Sequence, residues 1–392
     1  MKRNPRRVSR GHGFGSTCAA IVVTLMMSAV SFGAESGVAP SSSGAVSANG
    51  INVYPMSGAS FGVHAAIRLL TFYGSQYTLK IGLANNTIDG GVERPSSMCN
   101  ATAGCVAAVN GDFFDVPPAS KPDPGDEVGG IIRNCVLLHT PEVAHNQINL
   151  DEQSVSNSLN WTSAIDVNGT SVPITAINQE LPMSYVGVHL SLSGTLLYTS
   201  PYALTTPTAR GRMTFEFAQI NGTSSPTTIN TTAQLKYLGR TAKALKVTAG
   251  RVDISAASAS AFAALTVGST VTMTTTSTSG CDSIGGHPII LDNGVASPIS
   301  RNDTYMNEPY PRTVIGFTSS GETVIMSVGG ADGKSGATMS QLIAMLTYLD
   351  VDTALDLDGG NSTTLYANHQ VLYPTLKTER PVSTGLLVVQ SS

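Results

Sequence analysis

The stretch TALDLDGGNSTTLY, residues 353–366, decides how the chain is read. Ala354, Leu355 and Leu357 are interleaved with Asp356 and Asp358, and a Gly359-Gly360 turn and a run of small hydroxyl residues follow. Side chains alternate faces along a strand, so Asp356 and Asp358 are expected on one face and Leu355 and Leu357 on the other. Two carboxylates on one face repel, and burying them without partners is costly. A sequence that keeps both at the mouth of a strand, beside two glycines, points to a ligand. The plain alternative is a polar strand end with a hydroxyl-rich turn.

Upstream of it, TVIGFT (313–318) and TVIMSV (323–328) flank the turn Ser319-Ser320-Gly321-Glu322 and read as a hairpin. The segment 329–336 carries Asp332 and Lys334 and reads as a solvated turn. In 338–349, Leu342, Met345, Leu346 and Leu349 fall at helical spacing, and Thr338 or Ser340 can cap the start. That helix feeds the strand 353–357, and 381–389 closes the chain as a last strand. Earlier strands are expected at 67–73, 77–81 and 129–138. CVAAVN (105–110) is a buried-strand run that ends in the turn signal Asn110-Gly111, followed at once by Asp112, Phe113, Phe114 and Asp115. Residues 116–127 are rich in Pro and acid and read as a surface loop over a pocket. From 145 to 280, Thr, Ser and β-branched residues with frequent Gly and Pro predict many short strands, clearest at 188–198, 213–220 and 245–254, with a short helix at 256–265. The expected fold is α+β: mixed β-sheets packed with a few helices in one strand-rich domain, 51–392, within which 145–280 is the candidate subdomain.

The ends and the composition point outside the cell. Lys2, Arg3, Arg6, Arg7 and Arg10 precede an apolar run from Cys18 to Val30 and then small residues, so 1–34 reads as a signal peptide, with an uncleaved anchor as the alternative. Residues 35–50 read as a flexible Ser/Gly/Ala linker. Only 12% of the residues are charged. Without 1–34 the chain has 17 basic against 26 acidic residues, a formal charge of −9, which argues against nucleic acid as a partner. Cys99, Cys105, Cys135 and Cys281 remain, an even number that suits an oxidised, secreted protein. Of the three pairings, Cys99–Cys105 with Cys135–Cys281 is favoured. The cysteines lack zinc-site spacing, no His-rich or EF-hand spacing is present, and no phosphate-binding Gly-x-x-x-x-Gly-Lys loop occurs, so no cofactor and no obligatory metal is expected.

Taken together, AAVNGDFF (107–114), GGHPIILDNG (285–294), PRTVIGF (311–317), LDGGNSTTL (357–365) and Arg380-Pro381-Val382 resemble, in order, the motifs of the phosphodiester glycosidase family. Two departures stand out. Asn361 replaces a third glycine, and Asp112 sits at a position the family fills variably. The resemblance implies cleavage between a sugar's anomeric carbon and a phosphodiester, on a carbohydrate or phosphoglycan substrate. Such a site must hold an anion and stabilise positive charge at the sugar carbon.

Asp358 is then the leading acid, as base, nucleophile or oxocarbenium stabiliser. Asp356 is a second acid or tunes the first, and Asp112 is a further catalytic candidate. His287 is a general acid, a phosphate donor or a structural residue. Arg312 is a two-pronged phosphate ligand or a salt-bridge partner of a loop acid, and Arg380 is a weaker candidate of the same kind. Gly359, Gly360, Asn361 and Ser362 offer backbone amides and a hydroxyl to phosphate. Asn110 orients sugar hydroxyls or braces its strand end. The function expected is a secreted hydrolase of sugar-1-phosphodiesters. The alternatives are a non-catalytic binding protein of the same fold and a glycosidase of ordinary sugar–sugar bonds.

Overall fold

The elements read around residues 353–366 assemble into one seven-stranded antiparallel sheet. Its order is Val53–Met56, Ala66–Tyr73, Glu322–Gly329, Arg312–Thr318, Val351–Asp356, Ile289–Asp292 and Val295–Ala296. The hairpin forms with Ile315 opposite Ile325, and its first strand pairs on the other side with Val351–Asp356, Ile315 opposite Leu355. The computed structural model describes residues 51–116, 125–180, 194–209, 211–330, 335–374 and 378–391. The expected leader and linker, Asp332, Lys334, and parts of the loop 116–127 and of the strand expected at 188–198 lie outside them.

The α-helix Met339–Tyr348 starts where its cap predicts. The Thr338 side chain accepts from the Gln341 amide, and the Gln341 side chain accepts from Thr338 N, a reciprocal capping box. Met339, Leu342, Met345 and Leu346 are all buried, at helical spacing, against Val314, Val324, Met326 and Ala354 on one face of the sheet. Alternation sends Ile315, Ile325 and Leu355 to the other face. There they share a core with Val109, Leu386 and Val388 of one five-stranded sheet and Ile131, Ile148 and Ile284 of another. The first of these is ordered Gln370–Pro374, Thr364–Ala367, Cys105–Asn110, Thr384–Gln390, Tyr77–Leu83. The second is ordered Val136–His139, Ile131–Arg133, Ser283–Gly286, Asn146–Asn149, Ser154–Ser156. The fold is therefore α+β, with mixed sheets, few helices and one large domain.

The Thr-rich middle forms an eight-stranded sheet from Thr170–Pro173 at one edge to Ala176–Ile177 at the other. It has its own core of Phe215, Phe217, Leu235, Ile254, Phe262 and Met273. The helix expected at 256–265 is replaced. Ala256 ends the strand Arg251–Ala256, and a single 3-10 turn, Ser260–Phe262, follows. Within that turn only Phe262 is buried, and one anchored turn is too short to sustain an α-helix. The strand expected at 129–138 is a tight hairpin, Ile131–Arg133 and Val136–His139, turning through Asn134 and Cys135 at positive φ. Cys99 pairs with Cys105 and Cys135 with Cys281, as favoured from the sequence. Among the described residues, no helix is long and apolar enough to cross a membrane. The two disulfides are consistent with an extracytoplasmic protein.

Two substitutions test this account by chemical denaturation. Leu346→Ala, which empties a fully buried position, is expected to cost ~2–5 kcal/mol. Thr338→Ala, which removes the cap alone, is expected to cost about 1 kcal/mol.

Candidate active site

Two sheets deliver their strand ends to one place. The strand Cys105–Asn110 stops at Asn110, and Val351–Asp356 stops at Asp356, so Asp358 lies beyond the strand, in the turn. Leu357 N still donates to Thr313 O of the seven-stranded sheet at 2.8 Å, whereas Asp358 N donates to Gly111 O at 3.0 Å. The acidic loop thus passes from one sheet to the other between residues 357 and 358. The fully buried Asn110 fixes that crossing. Its Nδ2 donates to Asp358 O at 2.6 Å, and its Oδ1 accepts from Thr313 Oγ1 at 2.8 Å and Thr364 N at 3.1 Å. Of the two roles expected for Asn110, bracing is the one observed. A sugar contact is not available to a side chain with no exposed surface.

Asp112, one turn further, is 1% exposed. Its Oδ1 accepts from Phe113 N at 2.7 Å and from His145 Nε2 at 2.8 Å. Its Oδ2 has no hydrogen-bond partner and sits between two glycines. A Cβ on Gly129 or on Gly285 would lie 2.0 Å from that oxygen, which is why a glycine is required at the head of the GGHP motif. His145 was not anticipated. It precedes the strand Asn146–Asn149, and nothing in its local sequence marks it. Burial works to lower its pKa, yet the charge of Asp112 and the hydrogen bond to it raise it, so the imidazolium is favoured. The ring of His287 stands 6.2 Å from that of His145. His287 is exposed, and its Nδ1 meets Asn146 Oδ1 at 3.0 Å, which requires a proton on Nδ1 and leaves the lone pair at Nε2. Burial first and His145 second lower the His287 pKa, so this ring is neutral near pH 7. That disfavours the general-acid role expected of it.

Asp356 and Arg312 are both fully buried and bound to each other, Nη1 to Oδ2 at 2.8 Å. Tyr305 OH also donates to that Oδ2, at 3.0 Å. Arg312 Nε donates to Ala337 O at 3.2 Å and Nη2 to Tyr305 O, and the guanidinium lies 4.1 Å over the Tyr305 ring. Of the two readings of Arg312, the salt bridge to a loop acid is the one observed. Neither it nor Asp356 has surface to offer a substrate. Burial raises the Asp356 pKa to about 6, with Arg312 opposing.

Asp358 is half-buried and differs. Burial pushes its pKa up to about 7, opposed by hydrogen bonding to Ser362 and by the charge of Arg380, and supported by the charge of Asp112. Arg380 is half-buried, donates to Ser362 Oγ at 3.3 Å and lies 5.5 Å over the Phe114 ring. The nest of amides expected from 359–362 is partly engaged already. Gly360 N donates to Pro311 O at 3.0 Å and Ser362 N to Gly359 O at 3.1 Å, while Asn361 is exposed. Phe113, Tyr305 and Tyr310 form an aromatic cluster here, Phe113 and Tyr305 6.1 Å apart edge to face and Tyr305 and Tyr310 5.9 Å apart and stacked. Glu127 is buried, and burial first and the charge of Asp112 second hold its carboxyl well above its ordinary range. Among the described residues no three acid or histidine side chains are placed to hold a metal ion.

Removing Arg312 leaves Asp356 buried and unpaired. Arg312→Met is expected to cost about 3–5 kcal/mol at pH 8. The cost shrinks toward pH 5. A carboxyl with a raised folded-state pKa takes up a proton on folding, so its penalty grows as pH rises above the unfolded-state value. Arg312→Met with Asp356→Leu should recover most of the loss in thermal unfolding.

The phosphodiester glycosidase family model matches residues 217–389, a span that takes in His287, Arg312, Asp356, Asp358 and Arg380, while Asn110, Asp112 and His145 precede it. No curated protein matches the chain. Among solved structures, a hypothetical protein from Synechocystis superposes with a TM-score of 0.65 at 18% identity, over 87% of this chain and 62% of that one. This chain therefore spans less than two thirds of that protein. A protein from Burkholderia pseudomallei K96243 gives 0.63 at 16% identity, over 83% of this chain and 74% of its own. The zebrafish N-acetylglucosamine-1-phosphodiester alpha-N-acetylglucosaminidase catalytic domain, auto-inhibited by its pro-peptide, gives 0.42 at 12% identity, over 87% and 83%. At such identities the first two likenesses speak to the fold alone. Residues 217–389 of this chain match the model of the phosphodiester glycosidase family.

Proposed function

We propose that this protein is a secreted hydrolase that cleaves the bond between a sugar's anomeric carbon and a phosphodiester. The observation that carries this reading is Asp358. It is a half-buried carboxyl poised at about 7, next to Arg380 and within the electrostatic reach of Asp112. A water oxygen bonds to the anomeric carbon, the bond from that carbon to the phosphate oxygen breaks with its electron pair going to the phosphate, and the water proton passes to the Asp358 carboxylate. The products are a free sugar and a phosphomonoester. Phosphate leaves as a stable anion and asks for cations more than for a proton donor. Arg380 and the imidazolium of His145 are the cations on hand. Asp112 holds His145 in that state. The neutral His287 offers its Nε2 lone pair to a sugar hydroxyl or to the attacking water. Arg312 and Asp356 hold the loop in place beneath them. The choice of phosphodiesters over sugar–sugar bonds rests on these cations. An alkoxide leaving group needs a proton donor, and the carboxyls that burial holds well above their ordinary range, Asp89, Glu127 and Glu142, are only 5%, 2% and 8% exposed.

The test is hydrolysis of a panel of sugar-1-phosphodiesters by residues 35–392. The wild type is expected to turn over at least one. Asp358→Asn should lower kcat by ~10²–10⁴-fold while substrate still binds. The pH profile should be bell-shaped, rising near pH 7 as Asp358 ionises and falling at higher pH as His145 loses its proton. His145→Gln should abolish the alkaline limb and leave the acid one. Binding without turnover across the panel would sink the hydrolase reading and leave the binding protein.

A further inference from the structure

A cavity of about 540 Å³ opens beside the strand Tyr77–Leu83, lined among others by Lys80, Gly82, Glu93, Arg133, Asn134 and Asp282. None of the residues placed in the catalytic pocket lines it. Its four charged side chains cancel in number but not in availability. Glu93 Oε2 accepts from Asn85 N at 2.9 Å, and Asp282 Oδ1 accepts from Asn134 N at 3.0 Å, so each acid already has a backbone donor. The cations have no such partners. Among the described residues neither Lys80 nor Arg133 makes a hydrogen bond or ion pair, and Arg133 is half-buried. Asp282 attracts both cations, but at Arg133 burial outweighs that attraction and lowers the pKa, so a partly desolvated guanidinium without a hydrogen-bond acceptor remains, which an anion would relieve.

The strand register relates this cavity to the reaction. Lys80 lies opposite Leu387, and Leu83 opposite Thr384, whose hydroxyl accepts from Asp112 N at 3.2 Å. Three strand residues separate the two points, roughly 10 Å. We infer that the cavity is a second anion subsite, which binds another phosphodiester unit of the same substrate through Arg133 and Lys80. The substrate is then a phosphate-linked glycan chain and not an isolated sugar phosphodiester. This inference rests on the phosphodiester reading.

The experiment compares a nitrophenyl sugar-1-phosphodiester with a phosphate-linked glycan oligomer as substrates for the wild type, Lys80→Ala and Lys80→Ala/Arg133→Gln. The expected result is an oligomer KM raised ~10-fold or more in the double variant, the scale of one lost charge-assisted contact, with kcat unchanged and both constants for the small substrate unchanged. Lys80→Ala alone, at an exposed position, should give part of the rise and leave folding untouched. An oligomer KM within twofold of wild type in both variants overturns the subsite. So does a KM that rises equally for both substrates. Absence of turnover on either substrate by the wild type overturns the phosphodiester reading itself, and the subsite with it.

Discussion

The structure depends on one amide. Asn110 accepts from Thr313 of the seven-stranded sheet and from Thr364 of the five-stranded sheet, and donates to the carbonyl of Asp358. The Thr313 hydroxyl and the Thr364 amide that it satisfies are buried, so losing either bond leaves a polar atom without a partner, at a cost of about 1–3 kcal/mol apiece. Because one side chain meets three segments, the acidic loop cannot move independently of either sheet. The position of the Asp358 carboxylate therefore follows from the register of strands far apart in the chain.

Around that hub the charges divide by depth. Arg312 and Asp356 are fully buried, neutralise one another and line the underside of the loop. Such a pair adds little net stability once desolvation is counted, but it fixes geometry because neither partner can leave alone. Asp358, Arg380 and His287 keep exposed surface. Asp112 and His145 are both buried and joined at 2.8 Å, so that a buried carboxylate favours the charged form of a buried histidine. The neighbouring His287 is driven the opposite way. Two like side chains in one pocket thereby have their pKa values pushed apart, which is the arrangement acid–base chemistry uses.

Much of the fold was legible because it is local. The strand Cys105–Asn110 matched its sequence reading to the residue, and the hairpin and the capped helix matched within one or two residues at each end. Periodicity and turn chemistry settle those. The expectation that 256–265 is helical failed because short, small-residue segments adopt whatever packing allows. The site was legible as a set of residues but not as a set of roles. Arg312 reads as a phosphate ligand until its burial against Asp356, 44 residues away, is seen. His145 carried no signal, since what makes it distinctive is Asp112, 33 residues earlier, brought to it by sheet packing. The glycine of the GGHP motif was visible as a pattern, but its reason is steric contact with the Asp112 carboxylate.

The central claim is that the bond broken is the one between carbon and oxygen at the sugar, not the one between phosphorus and oxygen. Hydrolysis of a sugar-1-phosphodiester in ¹⁸O-labelled water, followed by mass spectrometry of both products, tests it directly. The account predicts the label on the anomeric hydroxyl of the sugar and none in the phosphomonoester. Label in the phosphate would contradict it and would make Asp358 and Arg380 parts of a phosphodiesterase.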